Sequence, residues 1–316
     1  MNKTLIDNIR NEIENYWKLN NNLKFNHSNP KIKLHEPTFG PDEVMAMVEV
    51  MLSTQVTMGK KVLQFENDIA KYFHVSEAVT NNSGSSANLL AISALVNKMT
   101  PDNLSPGDEV IVPALSWSTT VWPLIQNSLI PVFVDIDPET LNIEPIDIEN
   151  AISNKTKAVM IVPVYGNPCN MDSILEICNR RNLQLIEDNC ESLGAYYNDK
   201  PLGSFGRVST YSFYFSHHIS TLEGGVCISQ DFELAEVMRI IRAHGWIREV
   251  QNQKKYLDKY PEIDPKFLFV NLGYNLRLTE VQGAMGSVQL PKLKEFSELM
   301  NGNKDPDLFT HEHAPE

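Results

Sequence analysis

The chain has 316 residues, with 27 Lys and Arg against 40 Asp and Glu, and therefore a formal net charge of −13 at pH 7. This acidity argues against nucleic acid as the main partner, because contacts to phosphates need clustered positive charge. Hydrophobic residues make up 42% and charged residues 21% of the chain, a composition typical of a globular protein with a sizeable core.

Targeting signals and cysteines restrict the compartment and the kind of site. No signal-peptide pattern begins the chain, and no stretch of about 18 to 20 apolar residues follows, so we expect a cytoplasmic protein without a membrane partner. The 4 cysteines lack CxxC spacing, which indicates neither a disulfide framework nor a zinc site. No metal site is predicted.

The first predicted element is a polar, Asn-rich, weakly helical arm over residues 1–35. A helix follows from Pro41, where apolar residues recur at the spacing of one helical face as far as Leu52. Short apolar runs bounded by turn residues then indicate buried strands, and helical patterns accompany them. The strands are predicted at residues 109–114, 130–135, 158–164 and 183–188, and the helices at 86–96 and 171–178.

This alternation indicates an α/β fold, with a mostly parallel sheet covered by helices on both faces. Beyond residue 230 the pattern predicts helices at 232–242 and 278–290, separated by a polar, lysine-rich stretch at about 249–262. Residues 296–316 are expected to form a disordered, polar tail. Ligands of such sheets bind beyond the carboxyl ends of the strands, so candidate site residues are those that follow each apolar run.

A turn of small residues, Gly84, Ser85 and Ser86, lies between an extended segment and an amphipathic helix. Gly84 lets the backbone approach a ligand, and the serines offer hydroxyls and amides at a helix N-terminus, where the helix dipole favours an anion. The turn is therefore a candidate phosphate site, although serine-rich turns that only cap a helix are commoner.

Two acidic residues, Asp188 and Glu191, come at the end of the strand predicted at 183–188. A carboxylate there needs a cationic partner or several hydrogen bonds, because its desolvation is otherwise costly. A protonated ring nitrogen of a cofactor is one such partner. A carboxylate that only caps the next turn is the structural alternative.

Residues 209–225 contain an aromatic strand, then the adjacent His217 and His218, and then Glu-Gly-Gly. Histidine exchanges protons near neutral pH, so either side chain is a candidate general base. Metal ligation is the weaker interpretation, because neighbouring side chains on a strand point in opposite directions and the spacing suggests no third ligand.

These three segments, in this order, resemble the DegT/StrS sugar aminotransferase family of pyridoxal 5′-phosphate (PLP) enzymes of fold type I. The resemblance runs over about residues 37–293. It implies that Gly84, Ser85 and Ser86 hold the cofactor phosphate and that Ser212 adds to the phosphate site.

The resemblance also implies roles for residues that bind the cofactor ring or the substrate. Asp188 pairs with the pyridinium nitrogen, Glu191 lies against the phenolic oxygen, and Trp117 stacks on the ring. His244 and Arg248 line a sugar-nucleotide pocket, and Asn275 of a partner subunit contributes to the cofactor phosphate site.

The family's aminotransferases carry a lysine that forms a Schiff base with PLP. Aligning residues 223–225 with the family's Glu-Gly-Gly places His217 at that position, and no lysine lies between Lys200 and Lys254. The chain therefore looks like the dehydratase branch of the family, in which histidine replaces lysine. This implies His217 as the catalytic base, with His218 as the alternative. The implied cofactors are PLP and pyridoxamine 5′-phosphate (PMP), with L-glutamate as the amino donor.

The resemblance implies a 3-dehydratase of a nucleotide-linked 4-keto-6-deoxy sugar, GDP-linked mannose ahead of CDP-linked glucose, in dideoxysugar synthesis for lipopolysaccharide O-antigen. The CDP-sugar type carries an iron-sulfur cluster on additional cysteines, whereas only Cys227 follows His218 in this chain. The sequence is also compatible with a sugar-nucleotide aminotransferase and with a truncated, non-catalytic paralogue that binds cofactor.

The resemblance also organises the chain into domains. Residues 36–295 correspond to the PLP-binding large domain. Family members continue with a small domain that closes over the site, and we expect that domain to be truncated in this chain. An active site shared by two subunits implies a homodimer.

Overall fold

The computed structural model describes residues 3–20, 28, 30 and 38–300, without the side chains of residues 299 and 300. The chain divides into two compact units. The first unit lies within residues 1–65, 213–222 and 279–316, and the second comprises residues 66–212 and 223–278. No helix in the described ranges combines the length and the apolar composition that a membrane crossing requires.

The second unit is built on β-strands. They are, in chain order, β1 (Glu77–Asn81), β2 (Glu109–Pro113), β3 (Ile130–Val134), β4 (Thr156–Ile161), β5 (Gln184–Asp188), β6 (Tyr196–Tyr197), β7 (Lys200–Pro201), β8 (Val208–Ser212) and β9 (Gly225–Ser229). Strands β6 and β7 form a small antiparallel pair. The other seven form one sheet in the order β1-β9-β8-β5-β4-β2-β3.

The large sheet confirms the predicted mostly parallel arrangement. Strand β9 is antiparallel to both of its neighbours, β1 and β8, whereas the remaining pairs along the sheet are parallel. The strand predicted at 158–164 ends earlier, at Ile161, because Pro163 has no N–H to donate to a ladder. Strand β9 was not predicted.

The α-helices within the described residues include every helix that the sequence predicted. They are α1 (Lys3–Asn20), α2 (Pro41–Ser53), α3 (Lys60–Phe73), α4 (Gly84–Leu95), α5 (Ser118–Gln126), α6 (Pro145–Ala151), α7 (Met171–Arg181), α8 (Phe232–Arg242), α9 (Gln253–Leu257), α10 (Glu280–Gln289) and α11 (Leu293–Met300).

Two apolar layers cover the sheet of the second unit. Helices α4, α5 and α8 share one buried cluster with strand residues such as Val110 and Val112. Helices α6 and α7 share the other cluster, with residues such as Ile111. The alternation along β2 follows from the two-residue period of a strand, whose successive side chains point to opposite faces. The carboxyl ends of the parallel strands lie between these layers, at one edge of the sheet.

Within the first unit, α2 packs on α10. The buried carboxylate of Glu280, at the start of α10, accepts hydrogen bonds from the backbone amides of Gly59, Lys61 and Val62 at 2.9, 3.0 and 2.9 Å. These amides lie at the N-terminus of α3, where helical N–H groups lack intrahelical partners and a negative charge is stabilising.

The predicted terminal segments fall partly outside the described residues. Helix α1 occupies much of the predicted arm, and α11 extends as far as Met300 into the segment that was expected to be a tail. Residues 301–316 of that tail lie outside the described residues. The division into arm, large domain and tail stays a prediction.

Candidate active site

Gly84 opens α4 in close contact with the end of β8. A β-carbon at position 84 would lie 2.5 Å from Cβ and 2.8 Å from Oγ of Ser212, and 3.1 Å from Sγ of Cys190. Ordinary carbon–carbon contacts are about 3.5 to 4.0 Å, so only glycine fits without movement. Two residues of the predicted phosphate site, Gly84 and Ser212, are therefore neighbours, and Cys190 lies beside them.

The N-terminus of α4 has donors to offer. The side chain of Ser83 is the N-cap, and its Oγ accepts a hydrogen bond from the Ser86 amide at 3.1 Å. The amides of Gly84 and Ser85 make no hydrogen bond within the described part of the chain. The hydroxyl of Ser85 donates to Oγ1 of Thr119 at 3.0 Å. Two unpaired amides at the positive end of a helix dipole suit a phosphate group.

Asp188 ends β5 and is 4% exposed. Its Oδ2 accepts hydrogen bonds from Nδ2 of Asn88 at 2.8 Å and from Oγ1 of Thr120 at 2.7 Å. The backbone amide of Cys190 reaches the other oxygen, Oδ1, at 3.3 Å. The carboxylate is thus held by one oxygen, while Oδ1 keeps capacity to accept a further hydrogen bond.

A second contact fixes the orientation of the Asn88 amide. Oγ1 of Thr210 donates to Oδ1 of Asn88 at 2.6 Å, so Nδ2 of Asn88 is the atom that faces Asp188. The Thr210–Asn88–Asp188–Thr120 network therefore joins β8, α4, β5 and α5. Burial and the charge of Asp188 raise the pKa of the adjacent Cys190 thiol well above its ordinary value, so this thiol is neutral.

These residues fit PLP on two observations. The close approach of Gly84 to Ser212 leaves a backbone cradle with unpaired amides, which suits the cofactor phosphate. The oriented, buried carboxylate of Asp188 suits a protonated ring nitrogen, because a buried carboxylate needs a cationic partner or several donors. Groups of three or more His, Cys, Asp or Glu side chains that could hold a metal ion do not occur among the described residues.

The other predicted ring contacts lie after neighbouring strands. Trp117 precedes α5, beyond the carboxyl end of β2, and its side chain is 75% exposed. Glu191 lies three residues beyond the end of β5 and is exposed. Neither side chain makes a contact that assigns its role, so stacking by Trp117 and the contact of Glu191 with a phenolic oxygen stay predictions.

A polar cluster brings together two of the predicted substrate and phosphate residues. Nε of Arg277 donates to Oδ1 of Asn275 at 3.2 Å, and Nη2 of Arg277 lies 3.3 Å from Nε2 of His244. The segments are joined by a backbone bond, since the amide of His244 donates to the Tyr274 carbonyl at 2.6 Å. Arg277, which the sequence did not single out, therefore positions both Asn275 and His244.

Arg248, the remaining predicted substrate residue, takes no part in these hydrogen bonds and lies beside aromatic rings instead. Its guanidinium carbon is 5.1 Å from the ring centroid of Trp246. Trp246 in turn stacks on Phe269, with the ring centroids 5.7 Å apart. Because Arg248 is exposed, its guanidinium offers a local positive charge on an acidic protein, at low cost in desolvation.

His217 and His218 belong to the first unit, in a turn that follows β8 rather than on a strand. The amide of Thr221 donates to the Phe213 carbonyl at 3.0 Å and closes this turn at its base. The ring of His217 lies edge-on to Tyr214, with the centroids 6.2 Å apart. The sequence analysis placed the two histidines on a strand and used that geometry against metal ligation. That placement was wrong, because the two residues lie in a turn.

The two histidines differ in their surroundings. Burial, with a smaller contribution from His217, lowers the pKa of His218 to about 4. Nδ1 of His218 is buried and finds no hydrogen-bond partner among the described residues. His218 is therefore neutral at neutral pH and holds protons weakly.

The residues that orient Asp188 were not found from the sequence. Asn88 and Thr120 donate to Asp188 from positions 100 and 68 residues away in the sequence, Thr210 in turn donates to Asn88, and no local pattern relates them. The available signal was Asn88 itself, an amide in a helix whose other residues are apolar, glycine or serine. A buried amide in such a helix needs a partner, and a carboxylate at the same edge of the sheet is one.

Comparison with known proteins gives concordant results. Residues 37–301 match the model of the DegT/DnrJ/EryC1/StrS aminotransferase family. A GDP-4-keto-6-deoxy-D-mannose 3-dehydratase of Yersinia pseudotuberculosis is 44% identical over 273 residues, which are 85% of this chain and 69% of the relative.

Two solved structures are also similar. The Escherichia coli GDP-4-keto-6-deoxy-D-mannose-3-dehydratase with bound hydrated PLP is 42% identical, with a TM-score of 0.80, over 86% of this chain and 70% of that chain. A GDP-4-keto-6-deoxymannose-3-dehydratase with a trapped PLP-glutamate geminal diamine is 42% identical, with a TM-score of 0.77, over 84% of this chain and 69% of that chain.

The comparisons confirm the predicted PLP-dependent transferase fold of type I. The family model covers most of the chain, and the Yersinia relative exceeds 40% identity over 69% of its own length. The chain therefore belongs to the DegT/DnrJ/EryC1/StrS aminotransferase family.

Proposed function

We propose that this protein is a PLP- and PMP-dependent 3-dehydratase of GDP-4-keto-6-deoxy-D-mannose, with L-glutamate as the amino donor. One sequence feature carries the proposal: aligning residues 223–225 with the family's Glu-Gly-Gly puts His217 at the position of the aminotransferase lysine, and no lysine lies between Lys200 and Lys254. The similarity to the dehydratases of Yersinia and Escherichia coli supports it.

The missing lysine changes what the rest of the site must do. Without an amine at position 217 the chain cannot hold the cofactor covalently, so binding depends on non-covalent contacts. Gly84, Ser85, Ser86 and Ser212 would hold its phosphate. When bound, the cofactor supplies an amine that joins the sugar ketone and a ring that takes up electrons.

Asp188 keeps the ring nitrogen protonated in this proposal. Its Oδ2 is occupied by Asn88 and Thr120, which leaves Oδ1 to accept the hydrogen bond of an N–H⁺ group. A buried carboxylate beside such a group stabilises the positive charge and thereby the electron uptake by the ring. Trp117 would stack on the ring, and Glu191 would lie against the phenolic oxygen.

His217 is the base that accepts the proton whose removal drives loss of the sugar 3-hydroxyl. A base works best when its pKa is near the working pH. His218, with a pKa of about 4, is a poor proton acceptor at neutral pH, which favours His217 of the two.

The substrate side of the proposal rests on the cationic residues. His244 and Arg248 would line the sugar-nucleotide pocket and supply positive charge to the diphosphate. We propose a homodimer in which Asn275, oriented by Arg277, contributes to the cofactor phosphate site of the partner subunit. The exposed position of Asn275 supports a role outside its own unit's core.

We also propose that the enzyme acts in the cytoplasm, in dideoxysugar synthesis for lipopolysaccharide O-antigen. The four cysteines support a reducing compartment, because all are free thiols.

The test combines a spectrum with product analysis. The purified protein is titrated with PLP and then with L-glutamate, and borohydride is added to each sample. We expect slow conversion to the amine form and no borohydride-trapped lysine adduct in the cofactor site. Incubation with GDP-4-keto-6-deoxy-D-mannose should release ammonia and a 3,6-dideoxy-4-keto sugar nucleotide. Turnover of the CDP-linked glucose substrate alone, or a trapped lysine adduct in the cofactor site of the wild-type protein, would refute the proposal.

Three variants separate the histidines: His217→Lys, and the matched pair His217→Gln and His218→Gln. His217→Lys should create a borohydride-trapped adduct and abolish dehydration. His218→Gln should keep measurable dehydration. The reverse result, in which His218→Gln abolishes dehydration and His217→Gln does not, would assign the base to His218.

A further inference from the structure

Tyr165 has a backbone conformation that tyrosine rarely adopts. It lies in the 3₁₀ turn Val164–Gly166, beyond the carboxyl end of β4, with φ 54° and ψ 26°. This is the left-handed region, which is sterically costly for residues with a β-carbon and even more so for bulky ones. Strain of this kind persists only where the surrounding structure enforces it, and such residues cluster at functional sites.

The enforcing residue is Asn142. Its side chain is 3% exposed and bonds to both ends of the turn. Oδ1 accepts a hydrogen bond from the Val164 amide at 3.3 Å, and Nδ2 donates to the Asn167 carbonyl at 3.0 Å. A single buried amide thus clamps the turn on both sides of Tyr165.

The Tyr165 side chain does not pack against the rest of the described structure. The side chain is 81% exposed, and within the described residues its ring and hydroxyl make no ring contact or hydrogen bond. An exposed side chain that recovers none of the free energy of its strained backbone is not explained by the stability of the fold. A ligand that the ring contacts would explain it.

The turn lies at the edge where the predicted site residues lie. In the sheet, β4 has β5 on one side and β2 on the other, and the three strands are parallel. Asp188 ends β5 and Trp117 follows β2. A β-carbon at position 166 would be 4.0 Å from the carbonyl oxygen of Glu191, so the turn packs beside the loop that carries Glu191.

Tyr165 nevertheless lies beside the cofactor residues and not among them. The residues that orient Asp188 come from α4 and α5, on one face of the sheet. The turn packs by Gly166 against Ala195, which belongs to the apolar cluster of the opposite face. The ring is therefore better placed for a second, larger ligand at this edge than for the cofactor.

We propose that Tyr165 contacts the nucleotide-linked sugar through its ring and hydroxyl, and that Asn142 is the positioning residue that holds it. This inference rests on the proposed function, because it takes the substrate from there. An aromatic side chain and a polar hydroxyl suit a sugar nucleotide, which presents flat apolar faces and many hydroxyls.

Binding and stability together test the proposal. We would measure the Kd of GDP-mannose, which lacks the reactive ketone, by calorimetry, and the Tm of each variant. Tyr165→Gly should raise the Kd about tenfold, equivalent to about 1.4 kcal/mol, while the Tm stays equal to or above that of the wild type, because glycine adopts the left-handed region without strain. Tyr165→Phe, which keeps the ring, should raise the Kd less.

Ser128→Gly is the matched control. Ser128 is exposed and left-handed, with φ 62°, but lies just before β3, at the amino end of the sheet. It should show the same direction of Tm change with an unchanged Kd. Asn142→Ala should weaken binding in the wild-type background and add little to Tyr165→Gly, because the clamp has no tyrosine left to hold.

The outcomes are distinguishable. If the wild type binds GDP-mannose and Tyr165→Gly binds it equally well, the inference is wrong while the proposed function stands. The same holds if Tyr165→Gly changes only the oligomeric state. If the wild type neither binds GDP-linked sugars nor dehydrates them, the proposed function fails and this inference fails with it.

Discussion

Replacing Gly84 by alanine tests whether the end of β8 and the start of α4 form a rigid cradle. The new methyl carbon would lie 2.5 Å from Cβ of Ser212, about 1 Å closer than ordinary contact. Ser212 cannot retreat easily, because β8 is buried along its length and lies between β5 and β9. Overpacking of this kind costs about 1 to 3 kcal/mol, and the better helix propensity of alanine returns less than about 1 kcal/mol. We expect a net loss of about 2 kcal/mol.

The assay measures stability and cofactor affinity on the same samples. Urea unfolding gives the free energy of unfolding, and titration by absorbance gives the Kd of PLP. Gly84→Ala should lower both the stability and the affinity, because the displaced turn no longer presents its amides. Ser85→Ala is the control on the same helical turn. It removes one exposed hydroxyl contact and should change the free energy of unfolding by no more than about 0.5 kcal/mol.

A second variant separates steric overlap from other causes. Adding Ser212→Gly to Gly84→Ala removes the side chain that the methyl group meets. The double variant should recover much of the stability but not the PLP affinity, since Ser212 is itself a predicted phosphate ligand. If Gly84→Ala alone is as stable as the wild type and binds PLP equally well, the cradle is not rigid.

Three further predictions concern other groups. The pKa of His218 is depressed from 6.5 to about 4, so the stability that depends on this group is fully present above pH 6.5 and is lost as the pH falls toward 4. Urea unfolding at several pH values should show that His218→Gln removes up to about 3 kcal/mol of this pH dependence. Glu280→Gln should lower the free energy of unfolding by about 2 kcal/mol, because a carboxamide cannot accept from all three α3 amides. An unchanged free energy of unfolding would show that these three hydrogen bonds do not stabilise the N-terminus of α3. Burial raises the pKa of Cys178 to about 11 and of Cys169 to about 12, so Ellman's reagent at pH 8 should label them only after unfolding.

The sequence predicted the parts of the fold that repeat a local pattern. Strand β5 and helix α8 were found because an apolar run or a helical face is visible within about ten residues. Strand β9 was missed because its apolar run covers only residues 226–228 and directly follows two glycines. Helix α9 was missed within a polar stretch, although Tyr256 anchors it in the core.

The candidate site divides in the same way. Gly84 and Asp188 could be singled out as candidates because their residue types follow strands, where ligands bind. The contacts that orient Asp188 were not found, because they join segments distant in the sequence. The strain at Tyr165 is also invisible in the sequence, since nothing about a tyrosine predicts a left-handed backbone when the enforcing amide lies on another segment.

The pairing of β1 with the antiparallel strand β9 also affects when the candidate site can fold during protein synthesis. Strand β1, which leads into the Gly84 turn, is at the edge of the sheet and pairs with β9, about 150 residues later in the chain. At synthesis rates of about 5 to 20 residues per second, β1 waits for about 8 to 30 s before its partner exists. The predicted phosphate cradle is therefore one of the last parts of the second unit to form during translation, so PLP added to a nascent chain should bind only after β9 has emerged from the ribosome.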